Sequence, residues 1–296
     1  MSNQITTNET FRNSPNTNPI QEIALRVVAE LPGWELHVLG TATLIAGNLA
    51  ITAKHVLDAA LQFGHKVTAD GIEINSEIKL YQCLPLETGP VYRIWTVIQA
   101  WAADSDIAIL HLKLDRSSED EPRIEWRVPR LRVTPPPTGR KVIAFGYRES
   151  KIEVITGPDG THHITLNDFG TISIGEVGQN FPERRDSSFL KFPCYEVLAK
   201  FVPGMSGGLI LDEYGILCGL VCAGTIHSDP DAPPLSYAVS LWPILRPMIS
   251  ADRGNAYGRG VQYPVVDLAL DKLINVVDLE LLDPELFPTR NLPRGI

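Results

Sequence analysis

Cysteine is scarce in this chain: the four present, Cys83, Cys194, Cys218 and Cys222, are too few and too scattered for a disulfide framework. Cys218 and Cys222 share an apolar, strand-like run, where extended backbone holds their Cα atoms roughly 13 Å apart, beyond disulfide reach. They have no second pair of ligands at zinc spacing, so free thiols in a reducing cytoplasm are expected. Basic residues are also in deficit, 26 against 35 acidic ones, for a net charge of −9. That balance is the wrong sign for phosphate backbones and argues against nucleic acid as the main partner. No stretch reaches the ~18 uninterrupted apolar residues of a spanning helix, and the Asn-rich N-terminus lacks the apolar segment of a secretory leader. These absences predict a cytoplasmic chain without a membrane partner, with residues 1–21 as a disordered polar tail.

What the sequence does have is short apolar or alternating runs broken by Gly, Pro, Asn and Asp. The first set of strand candidates is Glu22–Glu30, Glu35–Ile45, Leu49–Thr52, Ser76–Cys83, Tyr92–Trp101 and Ile107–Leu112. A polar stretch, Leu114–Arg127, reads as a solvated linker. The second set is Leu131–Val133, Lys141–Gly146, Ile152–Ile155, His163–Leu166, Gly170–Ile174, Cys194–Ala199, Gly208–Leu211, Ile216–Cys222 and Ser236–Val239. Helical patterns are few: one after His55, one over Leu241–Ile249 and an amphipathic one over Pro264–Val277. Two sets of short strands joined by a polar linker predict an all-β chain of two antiparallel barrels or sandwiches.

Three segments carry chemistry. Gly204-Met205-Ser206-Gly207-Gly208 follows Pro203 and runs at once into an apolar strand. Its glycines permit a tight turn that exposes a nucleophilic hydroxyl beside free backbone N–H groups. The strand Leu49–Thr52 ends in Thr52-Ala53-Lys54-His55, a rigid place for a general base. In Asp104-Ser105-Asp106-Ile107-Ala108-Ile109-Leu110, a carboxylate directly abuts a continuous apolar strand. Asp is disfavoured in strands and costly to bury unpaired, so Asp106 asks for a partner such as a His N–H. Asp104 is the alternative, but it stands off from the apolar run.

Taken together, GTATLIAGNLAITAKHV, DSDIAIL and PGMSGGLI resemble the trypsin-like, chymotrypsin-fold serine peptidases, with His, Asp and Ser in that order and 51 then 100 residues apart. The resemblance covers roughly residues 22–250. It implies two six-stranded antiparallel β-barrels, about 22–116 and 128–250, with the site in the cleft between them and residues 251–296 as a C-terminal helix and tail. By position it makes His55 the general base, Asp106 its orienting acid and Ser206 the nucleophile, with the N–H groups of Gly204 and Ser206 as the oxyanion hole. Lys200, six residues before Ser206, would lie at the base of the specificity pocket, walled by Val221, Cys222, Ala223 and Gly224.

Two departures matter. Met205 stands where digestive trypsins carry the Asp that pairs with a new N-terminus, and Val56 stands where secreted relatives carry a Cys. Both point to the bacterial, disulfide-free branch. The resemblance implies a serine endopeptidase acting on protein or peptide substrates, with no metal or cofactor. A catalytically silent binding module, or an esterase using the same triad, is the alternative. An apolar substrate residue is expected in the pocket, an acidic one is the alternative, and a basic one would be repelled by Lys200. The Pro264–Val277 helix is expected to cover a barrel face or dock a partner.

Overall fold

The computed structural model describes residues 10–15, 18–62, 65–68, 71–74, 77–86, 89–115, 128–160, 162–225, 233–250 and 261–287. Residues 116–127, most of the expected linker, lie outside them, as do residues 1–9, 16–17, 251–260 and 288–296 of the expected termini. The elements in chain order begin with β1 (Phe11–Asn13), β2 (Ala24–Leu31), β3 (Glu35–Ala46), β4 (Leu49–Thr52), α1 (Lys54–Gln62), β5 (His65–Thr68) and β6 (Gly71–Ile74). They continue with β7 (Glu77–Leu86), β8 (Gly89–Ala102), β9 (Ala108–Leu114), β10 (Lys141–Thr156), β11 (His162–Phe181) and β12 (Cys194–Val197). The last are β13 (Leu209–Asp212), β14 (Leu217–Gly224), β15 (Ser236–Ser240), β16 (Met248–Ile249), β17 (Tyr263–Pro264) and α2 (Val265–Leu270). Among the described residues no helix is long and apolar enough to cross a membrane.

The first barrel is closed, in the order β2-β3-β4-β9-β8-β7. Its interior takes Leu25, Val27, Ala42, Leu44, Ala50, Leu80, Trp95, Ala108 and Leu110. The alternate residues of β4 and β9, Leu49, Ile51 and Ile109, join a second cluster with Phe145, Tyr147, Leu209 and Leu220 of the other barrel. Both faces of β4 and β9 are therefore buried, which is why these strands read as continuous apolar runs rather than alternating ones. Each such fully buried side chain contributes about 1.5–3 kcal/mol.

The second barrel is a ring, β11-β10-β13-β14-β15-β12, closed by pairing of β11 with β12 at Val177↔Val197 and Phe181↔Cys194. Inside it lie Val142, Ala144, Val177, Tyr195, Val197, Ile210, Cys218, Val221 and Ala238. β10 and β11 run on past the ring as a two-stranded arm pairing Lys151 through Thr156 with His162 through Asn167, after a register shift between Arg148 and Lys151. Three short strands expected at Ile152–Ile155, His163–Leu166 and Gly170–Ile174 are thus parts of two long ones.

The termini correct several expectations. Within the segment expected to be a disordered tail, β1 pairs with β11 (Phe11↔Ser173, Asn13↔Thr171), and Arg148 Nη2 donates to Asn13 Oδ1 at 2.8 Å. A 3-10 turn, Pro19–Glu22, buries Gln21 completely. Leu241–Ile249 is no α-helix but a 3-10 turn, Trp242–Leu245, followed by β16. Arg246 still keeps helical dihedrals and donates to Pro243 C=O, but Pro247 has no N–H to carry the turn further. The helix expected over Pro264–Val277 stops at Leu270, because Lys272 takes a left-handed φ of 57°. Its apolar residues Val265, Val266, Leu268 and Ala269 are buried in the cluster between the barrels, with Ile274, so the face offered above for partner docking is covered by this chain itself. Beyond it Leu131 bridges to Val276, and Asp278 accepts the Val133 and Thr134 N–H groups, each at 2.9 Å. The expected strand Leu131–Val133 is reduced to that bridge and a second one from Leu131 to Leu217.

Candidate active site

His55 is the second residue of α1, which starts one residue after β4 ends, so the imidazole projects from a strand end. Asp106 lies in the tight turn between β8 and β9, closed by an Ala103 N–H to Ile107 C=O bond of 2.9 Å. Asp106 Oδ2 is 2.8 Å from His55 Nδ1, and Oδ1 accepts the His55 backbone N–H at 3.0 Å. Facing a carboxylate, Nδ1 carries the proton and leaves a lone pair on Nε2. The ring is 47% exposed and the carboxylate 11%, an acid shielded behind an accessible base. Asp104 points elsewhere, 3.6 Å from Arg246 and almost fully exposed.

Ser206 lies on the loop entering β13, between Gly204 (φ 91°) and Gly207 (φ 76°). A Cβ on Gly207 would stand 2.2 Å from Thr41 C=O and 2.3 Å from Thr52 Oγ1, so the turn needs glycine both for its left-handed backbone and for the approach of the first barrel. The Gly207 N–H goes to Val221 C=O and the Gly208 N–H to Met205 C=O, each at 2.8 Å. Among the described residues, the Gly204 and Ser206 N–H groups donate to no protein acceptor. The Ser206 hydroxyl donates to Cys222 C=O at 3.3 Å, so in this state it faces β14.

Four residues shape the site in ways the motifs did not reveal. Thr41 N–H donates to Ser206 C=O at 2.8 Å, and its hydroxyl donates to Gly204 C=O at 3.1 Å while accepting from Tyr147 N–H at 3.0 Å. One first-barrel residue thereby holds the turn at two points, Ser206 through its backbone and Gly204 through its side chain. The signal was a run of buried threonines, Thr41, Thr43 and Thr52, in otherwise apolar strands. Met205 is fully buried inside the second barrel, where its thioether anchors the turn from below. Phe201 is the third: a Cβ on Gly224 would stand 2.5 Å from Phe201 C=O. Gly224 therefore serves a close approach of the two chain segments.

Cys222 is the fourth. Its Sγ donates to Asp106 Oδ2 at 3.3 Å, so its side chain sits behind the carboxylate and not on a pocket wall. Burial, with Asp106 beside it, pushes this thiol well above its ordinary range. Burial likewise raises Cys194 to about 11 and Cys218 to about 12, so those two thiols stay protonated. All four cysteines are free and buried.

The other pocket residues divide. Val221 is buried in the second barrel core, while Ala223 is partly and Gly224 largely exposed. Lys200 is exposed, its Nζ 5.1 Å from the centre of the Phe11 ring, beside a cavity of about 400 Å³ lined by Phe11, Lys141, Ile174, Glu176, Leu198 and Lys200. The strap formed by β1 thus claims the ammonium that was expected at the pocket base.

Two barrels, one closed and one ring-shaped, with a largely shielded carboxylate behind a strand-end imidazole on the first and a glycine-bounded serine on the second, define the chymotrypsin-like class of fold. The family model "Trypsin-like peptidase domain" matches residues 40–220, and the chain belongs to that family. A search of curated proteins gives no match to this chain. Among solved structures it is similar to the Rv3671c protease from M. tuberculosis in its active form, with 16% identity over 79% of this chain and 85% of that one and a TM-score of 0.45. It is similar also to the MamO protease domain from Magnetospirillum magneticum, with 14% identity, 75% and 93% coverage and a TM-score of 0.42. The HtrA-type protease AlgW with decapeptide shows 16% identity, 77% and 64% coverage and a TM-score of 0.43.

Proposed function

We propose that the chain is a serine endopeptidase in which Ser206 attacks a peptide carbonyl and His55 takes, then returns, the proton, through an acyl-enzyme that water hydrolyses. The observation that carries this reading is the double attachment of Asp106 to His55, through Nδ1 at 2.8 Å and through the backbone N–H at 3.0 Å. That geometry presents Nε2 as a base and stabilises the imidazolium that forms. The reading requires the Ser206 hydroxyl to leave Cys222 C=O and turn toward Nε2, a rotation about its Cα–Cβ bond of the ps–ns kind for an accessible side chain. The unused N–H groups of Gly204 and Ser206 meet the oxyanion as charge develops, where fixed donors contribute about 3–4 kcal/mol.

At the scissile bond the enzyme accepts a small apolar residue. The approach of Phe201 to Gly224 and the turning of Lys200 toward Phe11 support this choice over an acidic one. The four free thiols support a reducing, cytoplasmic setting. A silent binding module has one observation in its favour, the Ser206 hydroxyl facing Cys222 C=O. A fluorophosphonate probe separates the two. The peptidase reading expects covalent labelling of Ser206 that His55→Ala and Ser206→Ala abolish, together with cleavage of unfolded protein. An unlabelled but folded wild type overturns it.

A further inference from the structure

We propose that the back of this triad is an inhibitory site for a thiophilic divalent cation, best suited to zinc, bound by His55 Nδ1, Asp106 Oδ2 and Cys222 Sγ. The three side chains bring their ligand atoms within 4.8 Å of one another. Two contacts converge on one oxygen, Nδ1 at 2.8 Å and Sγ at 3.3 Å from Oδ2, while Oδ1 is engaged by the His55 backbone. Tetrahedral zinc, with bonds of about 2.0–2.1 Å to nitrogen and oxygen and about 2.3 Å to sulfur, sets its ligand atoms roughly 3.4–3.6 Å apart. The Sγ–Oδ2 separation is already within about 0.3 Å of that spacing, while Nδ1 and Oδ2 must part by about 0.6 Å or a little more. An imidazole that is half exposed on the first turn of α1 can supply that movement. Mixed nitrogen, sulfur and carboxylate donors favour zinc over magnesium or calcium, which want oxygen alone. A thiolate and a carboxylate also neutralise the dication, so no net charge is left in a largely buried place.

The binding step balances simply. The Cys222 thiol releases its proton to water as the sulfur–zinc bond forms. The neutral imidazole gives its Nδ1 lone pair to zinc and carries its single proton on Nε2. Water completes the fourth position. That tautomer is the reverse of the one catalysis needs: with Nε2 protonated, His55 has no lone pair to take the Ser206 proton. Inhibition then lowers kcat without closing the cleft to substrate, which distinguishes it from a cation lodged over the nucleophile. This consequence rests on the peptidase reading above; the binding does not.

The test uses cadmium as a probe on the full chain, because its bond to a thiolate absorbs in the ultraviolet. A saturable one-to-one band is expected, displaced by zinc, absent in Cys222→Ser and weakened by more than about tenfold in His55→Ala. Circular dichroism checks that the variants fold. X-ray absorption of the zinc-loaded wild type, which needs no variant, should report one sulfur and an imidazole nitrogen among the ligands. No saturable band, an unchanged band in Cys222→Ser, or a sulfur-free zinc shell overturns the proposal. A folded chain that binds cadmium this way but is unlabelled by fluorophosphonate keeps the site and sinks the peptidase reading; labelling without cadmium binding does the reverse.

Discussion

In the first barrel, His55 and Asp106 are placed by bonds made within that barrel: β4 delivers one, the turn before β9 delivers the other, and two hydrogen bonds lock them together. In the second barrel, Ser206 rides on a loop whose position depends on its surroundings: Met205 in the core below, Thr41 from the opposite barrel, and left-handed glycines on either side. The His55–Asp106 pair is thus a local construction, whereas the Ser206 turn is a tertiary one. A peptidase that lacks the buried Asp of the digestive trypsins replaces that ion pair with an apolar anchor, so readiness of the turn becomes a matter of packing rather than of charge.

The largest test of this contrast is catalytic. Asp106→Asn should lower kcat by about 10⁴, since an amide facing Nδ1 favours the wrong tautomer, while Asp104→Asn should leave peptide hydrolysis nearly unchanged. Equal losses in both would erase the division between the two carboxylates. Next in size is Gly207→Ala, where a left-handed backbone and clashes with Thr41, Thr52 and Ala53 combine. A loss of about 3–5 kcal/mol in urea unfolding is expected, against about 1 kcal/mol for Gly33→Ala, whose φ is also positive but whose surroundings are open.

Met205→Ala should cost about 2–4 kcal/mol of stability by emptying a buried site, and should reduce kcat in the same variant. If turnover were untouched, the apolar anchor would be structural alone. Thr41→Val keeps the shape but removes the bonds to Gly204 C=O and from Tyr147 N–H, for about 1–3 kcal/mol. Its effect should fall on kcat more than on KM, with Thr41→Ser restoring most of it.

The smallest effect lies far from the cleft, on the first barrel, and sharpens the contrast by being purely electrostatic. Burial would raise the Asp115 carboxyl, but hydrogen bonds from Lys79 and Thr96 outweigh it and hold the group below its ordinary 3.8. Burial likewise opposes the Lys79 charge, yet bonds to Asp115 and Glu77 keep its ammonium above the ordinary 10.5. A carboxyl depressed in the folded state contributes stability above its unfolded value and loses it as pH falls through the folded one; a raised ammonium contributes below its unfolded value and loses it as pH climbs. The stability difference between wild type and Lys79→Met should therefore be flat from about pH 5 to about pH 9 and shrink outside that window. A difference that moved in mid-range would assign the effect to another group.

The sequence carried the site's chemistry in three short strings because each residue type there answers a local demand. A carboxylate abutting Ile107 has to find a donor, a strand end can hold His55 still, and the turn around Ser206 closes only on glycine. The paired apolar runs also foretold two β units, and the continuous run of β9 signalled a strand buried on both faces. Periodicity failed at the ends of the chain. Phe11 gave no strand signal because its partner edge, Thr171–Ser173 of β11, is some 160 positions away. The amphipathic pattern over Pro264–Val277 was real in its apolar content but not in its helical length, since Lys272 turns left-handed to bring Ile274 and Asp278 onto the second barrel.

By itself, then, the sequence determined which groups we propose for the chemistry and that strands would carry them, because those properties depend on side-chain type and near neighbours. Only the tertiary structure decided what lies behind and beneath them. It put the Cys222 thiol on the back of Asp106, Thr41 across the Ser206 turn, and the Lys200 ammonium near the Phe11 ring. Each of these pairs residues from separate strands or barrels, and no spacing along the chain records which distant element closes on which.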